Sequence, residues 1–407
     1  MWALSFSIIS STPQFSAFSF PQLAAPNLAV FSVFSRTTSL QALASVQLEP
    51  SPSSPVLLVD SNTKVPGTDA NFSGVSLGAC ARTLGPQEIA RVSFVGDTPR
   101  SRGVGVFVVG VKRSQLSAEV ETTVSSISEV GQEIPSREND VRKFQFFSSP
   151  SVDGDYAAFM GFTKDRSWSG IYFKHVPSGV VSVAVDYSST LPVLEIQENF
   201  DYFSGPVLRK NKIVFFGSHK KSESPDDSAL PGLYCYDIDS KHVGAIVDWT
   251  RQVPKGSPGE RFSAFSDIAF DGDSVAFVGK GTNGSLGIFV YSFNDDKLEA
   301  AVTADSAVPG HPEIKFVHFP DIPSVSGSRV LLTAENSKGG RGLYLFDIDT
   351  AKLSLIVRTG EELLGSTVAY LGSSQASVIG NQFVFYAVLA NNKVVIVEGR
   401  VDSQSFQ

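Results

Sequence analysis

A unit whose copies lie 55 to 65 residues apart recurs along this 407-residue chain, and it constrains the fold more than any single motif does. Its plainest mark is a glycine, an apolar residue and an aromatic: Gly105-Val106-Phe107, Gly170-Ile171-Tyr172, Gly232-Leu233-Tyr234, Gly287-Ile288-Phe289 and Gly342-Leu343-Tyr344. Ahead of each lies a second apolar run, ARVSFVG, DYAAFMG, NKIVFFG, DSVAFVG and SRVLLTA, with a final copy, NQFVFYA, at residues 381 to 387. Earlier still comes a large apolar residue followed by a small one, as in Phe72-Ser73, Phe147-Ser148, Phe203-Ser204, Phe265-Ser266, Phe319-Pro320 and Leu371-Gly372. A fourth apolar run, such as VVSVAV, HVGAIV, KLEAAV or KLSLIV, ends the unit.

Four short strands per unit and six units predict an all-β, six-bladed β-propeller of four-stranded blades. The strands are apolar on both faces, so each sheet needs a neighbour on either side. Low charge, 18%, also suits strands and turns better than helices with solvated faces. The last unit lacks a fourth strand. Residues 56 to 67, VLLVDSNTKVPG, match the fourth strands and exits of other units, VAVDYSSTLP, AIVDWTRQVP and AAVTADSAVPG. The N-terminal strand at residues 56–60 is therefore expected to complete the last blade and close the ring, which removes an exposed edge.

These units resemble the blades of six-bladed TolB-like β-propellers, with Asp153-Gly154, Asp271-Gly272, Phe159 and Phe277 matching the family pattern. They are also similar to bacterial tandem repeats with an N-x-x-G-x-x-A-F core, through DGDYAAF and DGDSVAF. The resemblance covers about residues 56 to 401 and implies a fold without an activity.

Residues 1–48 hold no Asp or Glu and one basic residue, Arg36, with ten Ser and six Phe. That composition predicts a disordered plastid transit peptide, followed by a linker at 49–55 and a single propeller domain at 56–407. A chloroplast location follows, with secretion as the alternative; the sequons at Asn71 and Asn283 would matter only on the secretory route. A net charge of -8 and a pI near 5.2 argue against nucleic acid. No apolar run is long enough for a membrane span. Cys80 and Cys235 offer neither a disulfide framework nor a zinc knuckle, both thiols are expected free, and no cofactor is expected.

Several motifs have structural explanations. GKGTNG, residues 279 to 284, spells a dinucleotide fingerprint but leads into a strand, so it reads as a hairpin loop. The DID repeats, Asp237 with Asp239 and Asp347 with Asp349, read as turn caps, as do Asp60, Asp186, Asp248 and Glu129 at the ends of outer strands. His311 and His318 are poorly spaced for zinc.

Two sets of residues are candidates for chemistry. Asp267 and Asp321 lie two residues after the anchoring Phe of neighbouring units and, with His318, form the candidate catalytic set, since paired carboxylates shift each other's pKa. The loops between second and third strands form a locally basic rim, from which Arg102, Arg166, Trp168, Lys338 and Arg341 are the candidate ligand- or partner-binding residues. The first reading is a non-enzymatic binding or scaffold propeller that presents this rim to a protein partner or a small anionic ligand. The alternative is a hydrolase or lyase working through the channel carboxylates.

Overall fold

The computed structural model describes residues 4–10, 15–25, 27–35, 41–48, 56–81, 88–113, 120–135, 141–193, 197–220 and 229–401. All regular structure among them is β-strand, and the strands form seven blades of a propeller. Blade I is Phe15–Ala25, Leu28–Ser35, Gln41–Gln47 and Val56–Val59. Blade II is Gly74–Ala81, Glu88–Thr98, Ser101–Arg113 and Val120–Glu129. Blade III is Phe146–Asp153, Tyr156–Phe162, Ser169–His175 and Val181–Asp186, and blade IV is Tyr202–Arg209, Lys212–Lys220, Ala229–Asp237 and His242–Asp248. Blade V is Phe262–Phe270, Ser274–Gly281, Leu286–Ser292 and Lys297–Thr303. In blade VI the first strand is broken into His311–His318 and Ser324–Ser326, ahead of Arg329–Asn336, Arg341–Asp347 and Lys352–Arg358. Blade VII has Ser366–Gly372 with Val378–Ile379, then Gln382–Leu389 and Val394–Val401, and its fourth strand is Leu4–Ser10.

This corrects the expected six blades to seven, and it corrects the closing strand. Val56–Val59 is a fourth strand, as its sequence indicated, but it pairs with Gln41–Gln47 in blade I. The last blade is completed by Leu4–Ser10, which runs antiparallel to Val394–Val401 with Leu4 opposite Val401 and Phe6 opposite Gly399. The segment expected to lie outside the propeller therefore supplies four strands to two blades.

The chain divides into two compact units. One is Met1–Leu58, Val253–Pro258 and Asp267–Gln407; the other is Val59–Gln252 and Gly259–Ser266. Within the first, blade I packs on blade VII through Leu23, Ala29, Phe31, Val33, Ala42 and Ala44 against Val384 and Ile396. Burying a side chain such as Phe31 contributes about 1.5–3 kcal/mol. Polar contacts fix the alignment: the Leu23 amide donates to Ala376 O (2.7 Å), and Ser374 Oγ and Ser377 Oγ donate to Pro21 O (2.8 and 3.0 Å). Within the second unit, Phe200, Phe203 and Leu208 of blade IV pack on Ala158, Met160, Ile171 and Phe173 of blade III.

First strands enter on a pair of aromatic rings three residues apart. Phe144 and Phe147, Phe200 and Phe203, and Phe262 and Phe265 have centroids 5.3, 5.2 and 5.1 Å apart. Just beyond the second ring, the pairing in blades III and IV shifts register between Ser148 and Ser151 and between Ser204 and Val207. Such a bulge re-aims the residues around it. At this point Gly205 has φ +60° and Asp267 of blade V has φ +55°. Aspartate is among the few side chains that adopt this left-handed conformation readily, which is a structural reason for Asp267.

The turn readings hold for the 279–284 loop and for Asp60, Asp186, Asp237, Asp248 and Asp347. GKGTNG ends one strand and starts a hairpin turn, closed by the Gly284 amide on Gly281 O (3.2 Å). Asp237 Oδ1 accepts from the Ser240 amide (2.9 Å), and Asp347 Oδ1 from the Thr350 amide (2.9 Å). Asp60, Asp186 and Asp248 each accept from the amide two residues on, at 3.0, 3.0 and 2.8 Å. Cys235 is buried and free, and burial pushes its thiol up to about 12; the side chain of Cys80 lies outside the described residues.

Candidate functional site

The charged centre of blade VI begins as a row across three strands. His318 pairs with Glu335 on the second strand, and Glu335 pairs with Arg341 on the third. Directly opposed residues hold their side chains within reach of one another. His318 Nδ1 lies 3.4 Å from Glu335 Oε2, and Arg341 Nη1 donates to Glu335 Oε1 at 3.4 Å. The carboxylate accepts only, so this contact is a hydrogen bond when Nδ1 carries a proton.

Asp321 joins this row because the first strand breaks. Between the pairs His318–Glu335 and Ser324–Leu331 the first strand has two residues more than its partner, and the excess holds Asp321 off the ladder. Its Oδ2 accepts from Arg341 Nη2 (2.6 Å), Thr333 Oγ1 (2.8 Å) and the Ser373 amide of blade VII (3.2 Å). The Arg341 side chain is 8% exposed and the Asp321 side chain 16%. Removing one partner from so buried a pair strands the other charge, which costs about 3–5 kcal/mol. Arg341 Nε and Ser373 Oγ are buried with no hydrogen-bond partner, so the centre of the cluster keeps unused donors.

Blade VII covers the guanidinium with an aromatic ring. Tyr370 lies with its centroid 4.3 Å from Arg341 Cζ, and its ring is 6.0 Å from that of Tyr386. Burial, with a smaller contribution from the neighbouring Tyr370, raises the Tyr386 hydroxyl well above the usual phenol range. Tyr370 is itself 40% exposed. The cluster thus runs from a buried Arg341–Asp321 pair out to three accessible groups, Glu335, His318 and Tyr370.

Three sequence candidates, Asp321, His318 and Arg341, converge here. Asp267 belongs to the first strand of blade V, and the side-chain partners of Asp321 are Arg341 and Thr333. Among the described residues no group of three or more His, Cys, Asp or Glu side chains is placed to hold a metal. Arg341 is withdrawn from the rim into ion pairs, while Lys338 remains exposed on the loop beside it. In blade III, Trp168 is half-buried on the core of Phe144, Phe159 and Tyr172, with Arg142 Cζ 3.6 Å from its ring centroid. Arg166 is exposed, at φ +57°, and lies over the ring of Phe146 at 5.5 Å. Arg102 is on the third strand of blade II, and its side chain lies outside the described residues.

A further set escaped the sequence reading. The residue just before the second anchoring position of the first strand is Phe146 in blade III, Tyr202 in blade IV, His318 in blade VI and Tyr370 in blade VII. All four are exposed: Phe146 by 39%, Tyr202 by 52%, Tyr370 by 40% and the His318 side chain by 59%. Their signal lay in the alignment of F-Q-F-F, F-D-Y-F, F-V-H-F and V-A-Y-L, where the outer positions are apolar anchors and the third is free to vary.

Seven four-stranded sheets with this order define a β-propeller. The chain belongs to the Family of unknown function (DUF7453), whose profile matches residues 10–366 and so begins inside the segment expected to be a leader. No curated protein matches the chain. Among solved structures, an oligogalacturonate lyase in complex with manganese is 9% identical, covering 99% of this chain and 98% of that one, with a TM-score of 0.53. The β-propeller domain of the Trilobed protease from Pyrococcus furiosus, described as having an open velcro topology, is 10% identical over 96% and 94% of the two chains, with a TM-score of 0.54. TolB from Acinetobacter baumannii is 12% identical over 92% and 76%, with a TM-score of 0.35. At such identities the likeness is one of fold.

Proposed function

We propose that the protein is a binding propeller, and that within each compact unit its ligand contacts are made by the starts of the first strands and the loops between second and third strands. One observation carries the reading. A single blade position is aromatic or imidazole and exposed in four blades, Phe146 and Tyr202 in one compact unit and His318 and Tyr370 in the other, while the anchors beside it are buried. Exposed rings presented by rigid strands lose little entropy on binding and supply much of the energy at recognition surfaces. Arg166 over Phe146 in one unit and Lys338 beside the blade VI cluster in the other add charge next to these rings.

The test is a screen of the immobilised full chain against peptide and small-molecule libraries, repeated with a Tyr202→Ala, Tyr370→Ala double variant. Loss of the hits at nearly unchanged melting temperature is the expected result; hits that survive both changes would refute these exposed rings as ligand contacts.

A second reading, a lyase or hydrolase, draws on the His318–Glu335 contact and on the end-to-end fold likeness to an oligogalacturonate lyase. A carboxylate that fixes an imidazole tautomer is a common general-base arrangement. Cleavage of galacturonate oligomers that disappears in His318→Ala would favour it. The plastid location also stays a proposal, now with a condition. An address read from residues 1–48 has to be retained after import, because the strands from Leu4 to Gln47 belong to the blades.

A further inference from the structure

Tyr370, Glu335 and His318 form an accessible patch within one compact unit, and its chemistry is selective. Tyr370 has the Arg341 guanidinium over its ring and remains 40% exposed. Glu335 contacts Arg341 and His318 only at 3.4 Å each, which leaves lone pairs on both of its oxygens. With Nδ1 protonated toward Glu335, a neutral His318 offers Nε2 as an acceptor.

The patch therefore presents acceptors beside an aromatic platform. An anionic ligand, itself all acceptors, meets the accessible Glu335 carboxylate, while the Arg341 guanidinium is already engaged by Asp321 and Glu335 and the exposed Lys338 sits on the loop beyond them. A cationic ligand stacked on Tyr370 meets a ring that already carries Arg341 on it, so the attraction of the ring for a second cation is opposed by the first. A neutral polyol escapes both penalties, because its hydroxyls donate to Glu335 and His318 while its C–H face packs on the ring.

We propose that this patch of blades VI and VII binds a neutral saccharide, with one sugar ring on Tyr370 and two of its hydroxyls donating to Glu335 and to His318 Nε2. The inference rests on the binding reading above and names its ligand class.

The experiment is calorimetric titration of the full chain with three probes: a neutral galactan tetrasaccharide, a galacturonate tetrasaccharide and a lysine-containing pentapeptide. Saturable binding of the neutral sugar alone is expected, retained in Tyr370→Phe and weakened at least about tenfold in Tyr370→Ala and in Glu335→Gln, as loss of a stacking face or of a charged hydrogen-bond acceptor implies. If Tyr370→Ala fails to fold, Tyr370→Phe and Glu335→Gln carry the test between them. Tighter binding of the galacturonate or of the peptide overturns the proposal, and so does neutral-sugar binding that Glu335→Gln leaves unchanged. No saccharide binding, with library hits still lost in the Tyr202→Ala, Tyr370→Ala variant, overturns the ligand class and leaves the binding reading standing; library hits that persist there overturn that reading itself.

Discussion

Blades V and I open on the same five residues, Phe262 to Ser266 and Phe15 to Ser19, both FSAFS, yet their third strands differ in kind. Phe277 of blade V pairs with Phe289, two residues after Gly287. Phe31 of blade I, in the matching place, pairs with Ala44, two residues after Ala42. The glycine and the aromatic have been exchanged together. Blade VII makes the same joint change, with Phe385 opposite Val397, two residues after Val395.

The geometry explains the linkage. A Cβ on Gly287 would lie 2.7 Å from Val302 O, where the ladder shifts register between Ile288 and Phe289, and in blade IV a Cβ on Gly232 would meet the Tyr234 ring itself. The large ring goes with the glycine, but the bulge alone does not require it, since blade VII shifts register between Ile396 and Val397 with Val395 in the glycine's place. With a small residue at the aromatic position, Ala42 fits, and the space is taken by Phe31, Leu23 and the neighbouring blade's Val384 and Ile396. The Gly-aromatic pair is thus one of two packing solutions for a blade and not a requirement of the fold.

The largest effect expected from this comparison is on truncation. Deleting residues 1–48 removes three strands of blade I and the closing strand of blade VII, so the product should be insoluble or lack a cooperative melt, whereas removal of a mere leader would leave both intact. Solubility and circular dichroism decide it. Deleting residues 1–10 alone should expose the edge of Val394–Val401 and lower solubility less severely.

Charge placement sharpens the contrast between blades. Arg341→Glu should destabilise by about 3 kcal/mol or more, since it puts a third carboxylate beside Asp321 and Glu335, while Arg166→Glu on the exposed loop of blade III should stay within about 0.5 kcal/mol. Denaturant melts of the two variants measure the difference. Equal effects would return Arg341 to the rim.

Next in size, Gly287→Ala should cost about 1–3 kcal/mol because backbone must move to admit the methyl group, but Ala42→Gly should cost under about 1 kcal/mol. Similar costs in the two blades would break the two-solution account.

The smallest effect concerns the turn that follows the third strand of blade IV. Burial works against the Asp237 carboxylate, but Lys212 and Ser240 outweigh it together and hold its pKa at about 2. A carboxyl with a depressed folded pKa contributes stability above its unfolded value, about 3.9, and loses it as pH falls through the folded value. Asp237→Asn should therefore lower the melting temperature at pH 6 by no more than about 1 kcal/mol permits, and the difference from wild type should vanish as pH falls from about 4 to about 2.

The class of fold was legible because strands apolar on both faces, repeated four to a unit, admit few solutions in water. Val56–Val59 was recognisable as a fourth strand from VLLVDSNTKVPG, whereas FSAFS at residue 15, the same five residues that open blade V, fell within the segment expected to be a leader. The absence of acids and of the Gly-aromatic pair concealed blade I, although its residues 28 to 35, LAVFSVFS, repeat the second-strand pattern. Similarly, Asp321, His318 and Arg341 were each visible as chemistry-bearing residues. Their convergence through Glu335 and Tyr370 was not.

What the sequence determined by itself is local: which runs are strands, which aspartates cap turns, and that the unit repeats, because these depend on residues a few positions apart. The number of blades, the strand that completes the last one, and the burial of Arg341 were decided only by tertiary structure. Each depends on a pairing between distant segments, Leu4 with Val401, Asn27 with Gln382 and Asp321 with Arg341 and Ser373, and no period within the chain encodes which partner an edge or a charge will meet.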